Sequence, residues 1–184
     1  MAQGLMLFLI LFPMAMAPVV FPLRRRDRGL RDRFIQLVPL AELAAALVLL
    51  FLPAAALTLP GVCGLGLSFA AGSLGRLLAA VAAVLWVGTG AVSPPYFASA
   101  EGCNRYYFFW LLTQGALMGV FLAGDLFTLF VFFEMMSFTS YVWVAQNETP
   151  QALRAAETYL AVAVIGGMTL LVGLLWLGHL LGSL

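Results

Sequence analysis

Long apolar runs, separated by short groups of charged residues, prolines and glycines, occupy almost the whole chain. A helix of about 20 apolar residues crosses the hydrocarbon core of a bilayer, so each run is a candidate span. The pattern predicts six helices, at about 4–22, 36–58, 74–93, 106–123, 126–146 and 152–181. The glycine-rich segment 61–75 is also compatible with a re-entrant or interfacial segment. We predict an all-α integral membrane fold of about six transmembrane helices, with residues 1–184 as a single transmembrane domain.

The composition excludes several other classes of protein. Hydrophobic residues make up 64% of the 184 residues and charged residues 9%, which leaves too little polar surface for a water-soluble domain. A net charge of +1 gives no field that attracts nucleic acid, so the expected surrounding is the lipid bilayer. Cys63 and Cys103 fall in successive connections on opposite sides of the membrane, which excludes a disulfide between them. No phosphate loop, metal-ligand spacing or activated nucleophile is present, so we predict no catalytic residue, cofactor or metal in this chain alone.

The arginines predict how the helices are oriented. The chain has nine basic residues and none is a lysine. Six lie between the first two predicted helices, and cytoplasmic connections are the ones that retain Lys and Arg. The six are Arg24, Arg25, Arg26, Arg28, Arg31 and Arg33. Alternation of the helices then places Arg105 and Arg154 inside, only Arg76 outside, and both chain ends on the outer side. We expect a multi-pass protein of the inner (cytoplasmic) membrane whose first helix is retained and not cleaved as a signal peptide.

Short polar residues mark several predicted helix ends. Asp125 precedes the fifth predicted helix and is suited to cap it, with entry of cations as the alternative role. Gly124 is suited to the left-handed conformation that ends the preceding helix. Thr149 should cap the sixth helix. Within that helix, Gly166, Gly167 and Gly173 should permit close contact between helices rather than bind a ligand.

Among the ionisable residues, Glu134 has the position that is most informative about function. It lies in the middle of the fifth predicted helix, near the bilayer midplane, where an acidic residue costs about 2.5–3.5 kcal/mol even on insertion scales. Such residues normally face a bundle interior or a water-filled cavity. One reading is a buried carboxyl held protonated by a hydroxyl, since Ser137 and Tyr141 share its helix face. The other is an ion or proton relay, in which a nearby cation switches the charge of the carboxyl.

Other ionisable residues have simpler interpretations. Glu42 lies about two turns inside the second predicted helix, so its carboxyl should snorkel toward the arginines at the cytoplasmic surface. Arg154 and Glu157 are three residues apart on one helix face and should form an interfacial ion pair.

The segment around Glu134 carries a family resemblance. Residues 125–137 read DLFTLFVFFEMMS and are followed by Ser140 and Tyr141. They strongly resemble the fifth-helix signature of antiporter-like membrane subunits, whose usual pattern is D-L-F-x-L-F-V-F-W-E-L-M-S-x-x-S-Y. That family comprises the ion-pumping subunits of respiratory complex I (NADH-quinone oxidoreductase), the Mrp-type cation/proton antiporters and the membrane-bound hydrogenases. The likeness is strong over residues 96–178, and in the signature Phe133 and Met135 depart from it.

The resemblance implies a role for Glu134 and for partner subunits. Glu134 corresponds to the glutamate that is essential in this family, with Asp125, Ser137 and Tyr141 as candidate supporting residues. In this family, an intramembrane lysine modulates the charge of that glutamate. Family members have about fourteen helices built from inverted repeats. This chain has no lysine and six predicted helices. We therefore expect the amino-terminal part of such a subunit, as a split subunit, a truncated gene product or a fragment, beside other membrane subunits that supply lysine-bearing helices.

Two functions remain open at this point. The first is translocation of protons or sodium ions, as a membrane subunit of a complex I-like, Mrp-type or hydrogenase complex. The second is a non-conducting structural membrane scaffold or truncated family remnant. A neighbouring reading frame that encodes the missing lysine-bearing helices would favour the first.

Overall fold

The structure is a computed structural model that describes residues 1–26, 28–61, 66–97 and 102–181. Its elements, in chain order, are α1 (Ala2–Met16), α2 (Val20–Arg26), α3 (Arg28–Phe51), β1 (Ala56–Leu59), β2 (Leu67–Ala70), α4 (Ser73–Tyr96), α5 (Cys103–Phe121), α6 (Leu126–Val144) and α7 (Pro150–Leu181). A 3-10 turn at Ala17–Val19 joins α1 to α2, so these two helices form one span. Cys63 lies outside the described residues, and Cys103 is buried at the start of α5.

The predicted helical membrane fold is confirmed. With α1 and α2 taken together, the described residues form six long helical segments, and five of these are long and apolar enough to cross a membrane. The segment outside that set is α5, whose sequence includes Asn104, Thr113 and Gln114. These three side chains are buried, so the polarity of α5 is directed at neighbouring helices. The 19 residues of α5 give a length of about 28 Å, which matches the hydrocarbon core of a bilayer.

Four helices form the central unit of the structure. Helix α1 packs on both α3 and α5, and α4 packs on the same two helices, so α3 and α5 stand diagonally across the unit. Apolar side chains fill one half of it, among them Met6, Leu9, Leu49 and Met118. Helix α6 packs on α5 and α7 packs on α6, which places α7 at the periphery.

The predicted boundaries of the second helix are wrong at both ends. Helix α3 begins at Arg28 and α2 ends at Arg26, so the arginine-rich connection is helical on both sides of residue 27. Arginine is a good helix former, which explains why the charges do not interrupt the helix. The carboxyl end of α3 is Phe51 and not residue 58, because Pro53 disfavours helical conformation in the residue before it.

A β-hairpin occupies the segment for which a helix end and a re-entrant segment were predicted. Strands β1 and β2 pair antiparallel, with Ala56 opposite Ala70 and Leu59 opposite Leu67. The other edge of β2 is covered by the α5–α6 connection, because the Ala70 amide donates to the Leu122 carbonyl at 2.8 Å. Gln3 at the start of α1 donates its side-chain amide to the Ala56 carbonyl at 2.7 Å. The hairpin therefore joins α1, α5 and α6 at one end of the molecule and leaves no open edge on β2.

Arg76, the arginine predicted on the outer side, lies at this hairpin end. Its guanidinium donates to the carbonyls of Leu50 and Leu52, at the carboxyl end of α3. Carbonyls at a helix end have no partner within the helix, and a cation there satisfies them.

Arg31 connects helices at the opposite end. Only 6% of it is exposed, and it donates to the Asp32 carboxylate at 2.6 Å and to the Asn104 side-chain oxygen at 3.2 Å. Its guanidinium carbon also lies 5.3 Å from the centre of the Tyr107 ring. The contacts with Asn104 and Tyr107 join α3 to α5 at this end of the four-helix unit.

Candidate functional site

Helix α6, which carries most of the signature sequence, begins at a side-chain cap. The Thr128 amide donates to the Asp125 carboxylate at 2.6 Å, which confirms Asp125 as the N-cap. Thr149 caps α7 in the same way, by accepting from the Ala152 amide at 3.1 Å. Both caps follow from local sequence alone.

The hairpin fixes the position of this helix start. The Thr128 hydroxyl is fully buried and accepts from the Ser68 amide at 2.8 Å. Gly124 donates to the Ser68 carbonyl at 2.8 Å, and a Cβ on Gly124 would lie 2.8 Å from the Ser68 hydroxyl. The prediction of a left-handed Gly124 is wrong, because the described residues with positive φ are others. Glycine is needed here for close approach of the hairpin backbone.

Glu134 lies in the middle of α6 and faces α7. It is eight residues after the first residue of α6 and ten before the last, which places it about 12 and 15 Å from the two ends. Its carboxylate rests against the backbone of Gly167 on α7, where an added Cβ would overlap Oε1 and lie 2.8 Å from Oε2. The expectation of close helix contact is therefore confirmed for Gly167, and the group that it accommodates is the carboxylate of Glu134. It is wrong for Gly166 and Gly173, where an added Cβ would have no described atom within 4 Å.

The predicted supporting hydroxyls do not hold this carboxylate. Oε1 of Glu134 is buried and has no hydrogen-bond partner among the described residues. Ser137 donates to the Phe133 carbonyl of its own helix at 2.9 Å. Tyr141 is seven residues further along, and it lines a cavity of about 380 Å³ at the other end of α6 together with Arg105 and Glu148. Within the described parts of the chain, Glu134 also forms no ion pair.

Hydroxyl groups connect α6 to both of its helical neighbours. Thr139 and Thr113 join α6 to α5 through a hydrogen bond of 2.8 Å. Ser140 and the Tyr159 hydroxyl join α6 to α7 at 2.7 Å. Hydroxyl residues within apolar helices are the sequence signal for this set, which the predictions from the sequence do not contain as a group.

Two grooves follow the seam between α6 and α7. The larger has a volume of about 800 Å³, and its lining includes Phe133, Ser137, Thr158 and Gly166. The second, about 470 Å³, also includes Gly166 in its lining and extends to residues near the start of α6. Both grooves are mainly apolar, and they lie beside the helix pair that holds Glu134.

Helix α7 presents an extensive apolar surface. Several of its large side chains are more than half exposed. They are Val162, Ile165, Met168, Val172, Leu175, Trp176 and Leu180. In the described structure α7 packs on α6. Most of the circumference of α7 is therefore left for lipid or for other helices.

The charged residues at the arginine-rich end differ from one predicted arrangement. Arg105 of α5 pairs with Glu148 in the α6–α7 connection at 2.6 Å. The predicted pair of Arg154 and Glu157 is not among the ion pairs of the described residues, and both side chains are exposed. A spacing of three residues permits such a pair, but exposed side chains gain little from forming it.

Glu42 is the clearest departure from the sequence analysis. It is fully buried, and neither carboxylate oxygen has a hydrogen-bond partner among the described residues. Because α3 begins at Arg28, Glu42 lies 14 residues inside the helix, about 21 Å from its start. That distance is too great for its carboxyl to reach the membrane surface, so the prediction of snorkelling is wrong.

Comparison with known proteins relates this geometry to a family. The family model described as "NADH:quinone oxidoreductase/Mrp antiporter, TM" matches residues 123–184, which include α6 and α7. The chain is 32% identical over 179 residues to a probable K(+)/H(+) antiporter subunit of Rhizobium meliloti (strain 1021), covering 92% of this chain and 33% of that protein. It is 35% identical over 83 residues to a Na(+)/H(+) antiporter subunit of Alkalihalophilus pseudofirmus, covering 44% of this chain and 17% of that protein. The chain therefore spans at most about a third of these relatives.

Two solved structures share the fold. The Mrp complex from Dietzia sp. DQ12-45-1b matches with a TM-score of 0.80 and 21% identity, over 100% of this chain and 20% of that one. The membrane-bound sulfane sulfur reductase, an archaeal respiratory membrane complex, matches with a TM-score of 0.76 and 23% identity, over 91% of this chain and 36% of that one. In both cases the helical arrangement of this chain corresponds to part of a larger chain.

Proposed function

The chain belongs to the antiporter-like membrane subunit family, and we propose from this membership that it takes part in cation/proton translocation within a multi-subunit membrane complex. The ion-carrying residue in this proposal is Glu134. Its carboxyl binds and releases a proton while a neighbouring positive charge changes its affinity. Asp125, Ser137 and Tyr141 have a supporting role, Asp125 through the position of α6.

One observation carries the proposal for Glu134. A carboxyl oxygen is buried in the middle of a membrane helix with no hydrogen-bond partner among the described residues, against a glycine that leaves room for it. A carboxyl that served only packing would be expected to have a hydroxyl partner, and the nearby Ser137 hydroxyl is used within its own helix. Ionisable residues at such a depth are functional sites by default.

The partner in this proposal is a second membrane subunit. The chain has no lysine, and Arg31, Arg76 and Arg105 make contacts at the ends of α3, α4 and α5, away from Glu134. Arg154 precedes Gly167 by 13 residues of α7, which is about 20 Å of helix. A lysine-bearing helix packed against the exposed side of α7, near the α6–α7 grooves, would bring a positive charge toward the carboxyl. Helix–helix contact in lipid favours the small residues that this region contains, such as Gly166.

We further propose that the complex lies in the inner (cytoplasmic) membrane. The arginines of α2 and α3 are then on the cytoplasmic side, and the hairpin is on the outer side. This orientation puts Asp125 at the outer surface and Arg105 with Glu148 at the inner one.

Replacement of Glu134 by Gln tests the function directly, because the amide keeps the shape of the carboxyl and cannot ionise. In sealed vesicles that contain the assembled complex, Glu134→Gln should reduce proton transport driven by a K⁺ or Na⁺ gradient by about 100-fold, the scale of a positioned proton-transfer group. The measurement is the rate of change of fluorescence of a pH-sensitive dye, normalised to the amount of chain in the membrane.

Glu157→Gln is the matched control. It makes the same chemical change on the exposed surface of α7 and should leave transport within about twofold of the original rate. Normal transport by Glu134→Gln would contradict the proposed role, and would favour a carboxyl that serves only structure.

A further inference from the structure

The structure contains a second group of buried polar atoms, far from α7. Glu42 on α3 is fully buried, and neither of its carboxylate oxygens has a hydrogen-bond partner in the described residues. Gln114 on α5 is also fully buried, and both polar atoms of its side-chain amide are without a partner there. Buried polar groups in folded proteins are nearly always hydrogen-bonded, to protein atoms or to ordered water.

The helix arrangement places these two side chains in the same interior. Helices α3 and α5 stand diagonally across the four-helix unit, with α1 and α4 between them on either side. At the arginine-rich end, side chains of α3 and α5 meet across the unit, because Arg31 donates to the side-chain oxygen of Asn104. Glu42 is eleven residues after Arg31, and Gln114 is ten after Asn104, on helices that run in the same direction.

These spacings set the two groups at one depth. Eleven and ten residues of helix correspond to about 16 and 15 Å, so Glu42 and Gln114 lie at nearly the same distance from the Arg31–Asn104 contact. Both spacings are also close to three helical turns, which returns each side chain to the face that makes that contact. By this geometry the carboxyl and the carboxamide lie at one depth, on the facing sides of α3 and α5.

No charged side chain faces Glu42 from the described parts of the neighbouring helices. Helix α1 has no ionisable residue. The ionisable residues of α4 are Arg76 and Tyr96, at its two ends, and Arg76 is held by carbonyls at the end of α3. Those of α5 are Cys103, Arg105, Tyr106 and Tyr107, at least seven residues before Gln114. The charged residues of α2, and the others of α3, precede Ile35.

We propose that Glu42 and Gln114 form a second proton-binding site, within the four-helix unit and separate from Glu134. The Glu42 carboxyl binds the proton, and water bridges the carboxyl to the Gln114 amide. A proton is the ligand that fits, because one carboxylate and one amide oxygen are too few ligands for a metal cation, and an uncompensated carboxylate is unfavourable at this depth. The site is complete within this chain and does not require a partner subunit.

Infrared spectroscopy of the full chain in lipid nanodiscs tests the proposal. A protonated carboxyl has a carbonyl absorption of its own, separate from those of carboxylates and amides. At neutral pH, Glu42→Gln should remove one such band, and Glu134→Gln should retain it. The band should shift within minutes of transfer to deuterium oxide, because bridging water exchanges the proton. It should decline as the pH is raised, and it should be unaffected by sodium at constant pH.

Two further variants make the result specific. Gln114→Leu should shift the frequency of the band, because it removes the amide that holds the water, whereas Gln36→Leu on the exposed face of α3 should not. If Glu42→Gln fails to fold by circular dichroism, Glu42→Asp replaces it and should shift the band rather than remove it.

Several outcomes would overturn the proposal. Identical spectra for the original chain and Glu42→Gln at every pH would show that Glu42 holds no proton. A band that neither titrates nor exchanges with deuterium would show a static carboxyl, and one that sodium removes would show a cation site. The infrared measurement does not require transport. Its result for Glu42 is therefore independent of whether Glu134 carries ions.

Discussion

At the scale of single residues, the contact between Glu134 and Gly167 defines how α6 and α7 fit together. The carboxylate occupies the space that any side chain at position 167 would need. Gly166, its neighbour, has no atom within 4 Å of the position where a Cβ would be, although it lines both grooves. Adjacent glycines on one helix therefore have different roles. An added methyl group would clash at position 167 and would fit at position 166.

Gly167→Ala should be destabilising and should also impair transport. The added methyl forces the Glu134 carboxyl or the whole of α7 to move, and overpacking of this kind costs about 1–3 kcal/mol. Gly166→Ala is the control and should leave the free energy of unfolding unchanged or raise it by up to about 1 kcal/mol, because alanine favours the helix and meets no neighbour there. Denaturant unfolding in detergent micelles, followed by circular dichroism, measures both. Equal stability of the two variants would contradict the different roles of the two glycines.

At the scale of elements, the hairpin and the start of α6 form one structural unit. Thr128 takes part in it twice, since its amide is capped by Asp125 and its hydroxyl accepts from the Ser68 amide. The signature residues near 125 therefore attach α6 to the hairpin end of the molecule. The position of Glu134 along the membrane normal depends on this attachment, because α6 is a continuous helix from Leu126 to Val144.

Thr128→Val should weaken the attachment without altering the cap. The methyl group preserves the shape but leaves the Ser68 amide without its acceptor, at a cost of about 1–3 kcal/mol. Hydrogen–deuterium exchange of residues 67–70 should accelerate as a result. Thr169→Val provides the comparison, because the Thr169 hydroxyl donates to Ile165 of its own exposed helix. Unchanged exchange in the hairpin of Thr128→Val would show that the backbone pairing alone holds it.

At the scale of the whole molecule, the two ends of the helices carry different groups, as expected of a protein with one fixed orientation in the membrane. The arginines of α2 and α3, with Arg105 and Glu148, lie at one end, while the hairpin and Arg76 lie at the other. Six helical segments of the described chain connect these ends, α5 among them despite its lower hydropathy. The eight-to-one distribution of arginines predicted from the sequence is compatible with this arrangement.

A reporter fused after Leu184 tests the orientation. With six spans and a cytoplasmic arginine-rich end, a reporter that is active only outside the cytoplasm should be active there. The complementary fusion, to a reporter active only in the cytoplasm, should be silent. The reverse pair of results would contradict both the orientation and the even number of spans.

The isolated chain should not transport ions. Helix α7 packs mainly on α6 among the described elements, and no lysine is available to modulate Glu134. In liposomes under a pH gradient, the purified chain should show no Glu134-dependent proton flux, and flux should appear when a lysine-bearing partner subunit is co-assembled. Sustained flux from the chain alone, abolished by Glu134→Gln, would contradict the need for a partner.

Prediction from sequence succeeded where the cause was local and failed where it was distant. The caps at Asp125 and Thr149 depend on a few adjacent residues, and the central position of Glu134 depends on one helix with clear ends. The hairpin depends on hydrogen bonds to residues more than 50 positions away, which no periodicity reveals. The position of Glu42 is wrongly predicted for a related reason. The charges between residues 24 and 33 predict a break between helices, whereas Arg31 belongs to α3 and is buried against α5.

The covered edge of β2 has a consequence for how the protein is made. The chain is synthesised from its amino terminus, so the hairpin emerges before the residues that cover it. Phe69 can pair with Ala123 only after the later residue has been synthesised, and contacts between such distant positions form slowly. A nascent chain halted after α4 would therefore expose the edge of β2 that does not pair with β1. Completion of the α5–α6 turn is the event that protects this strand from proteases and from mispairing with other chains.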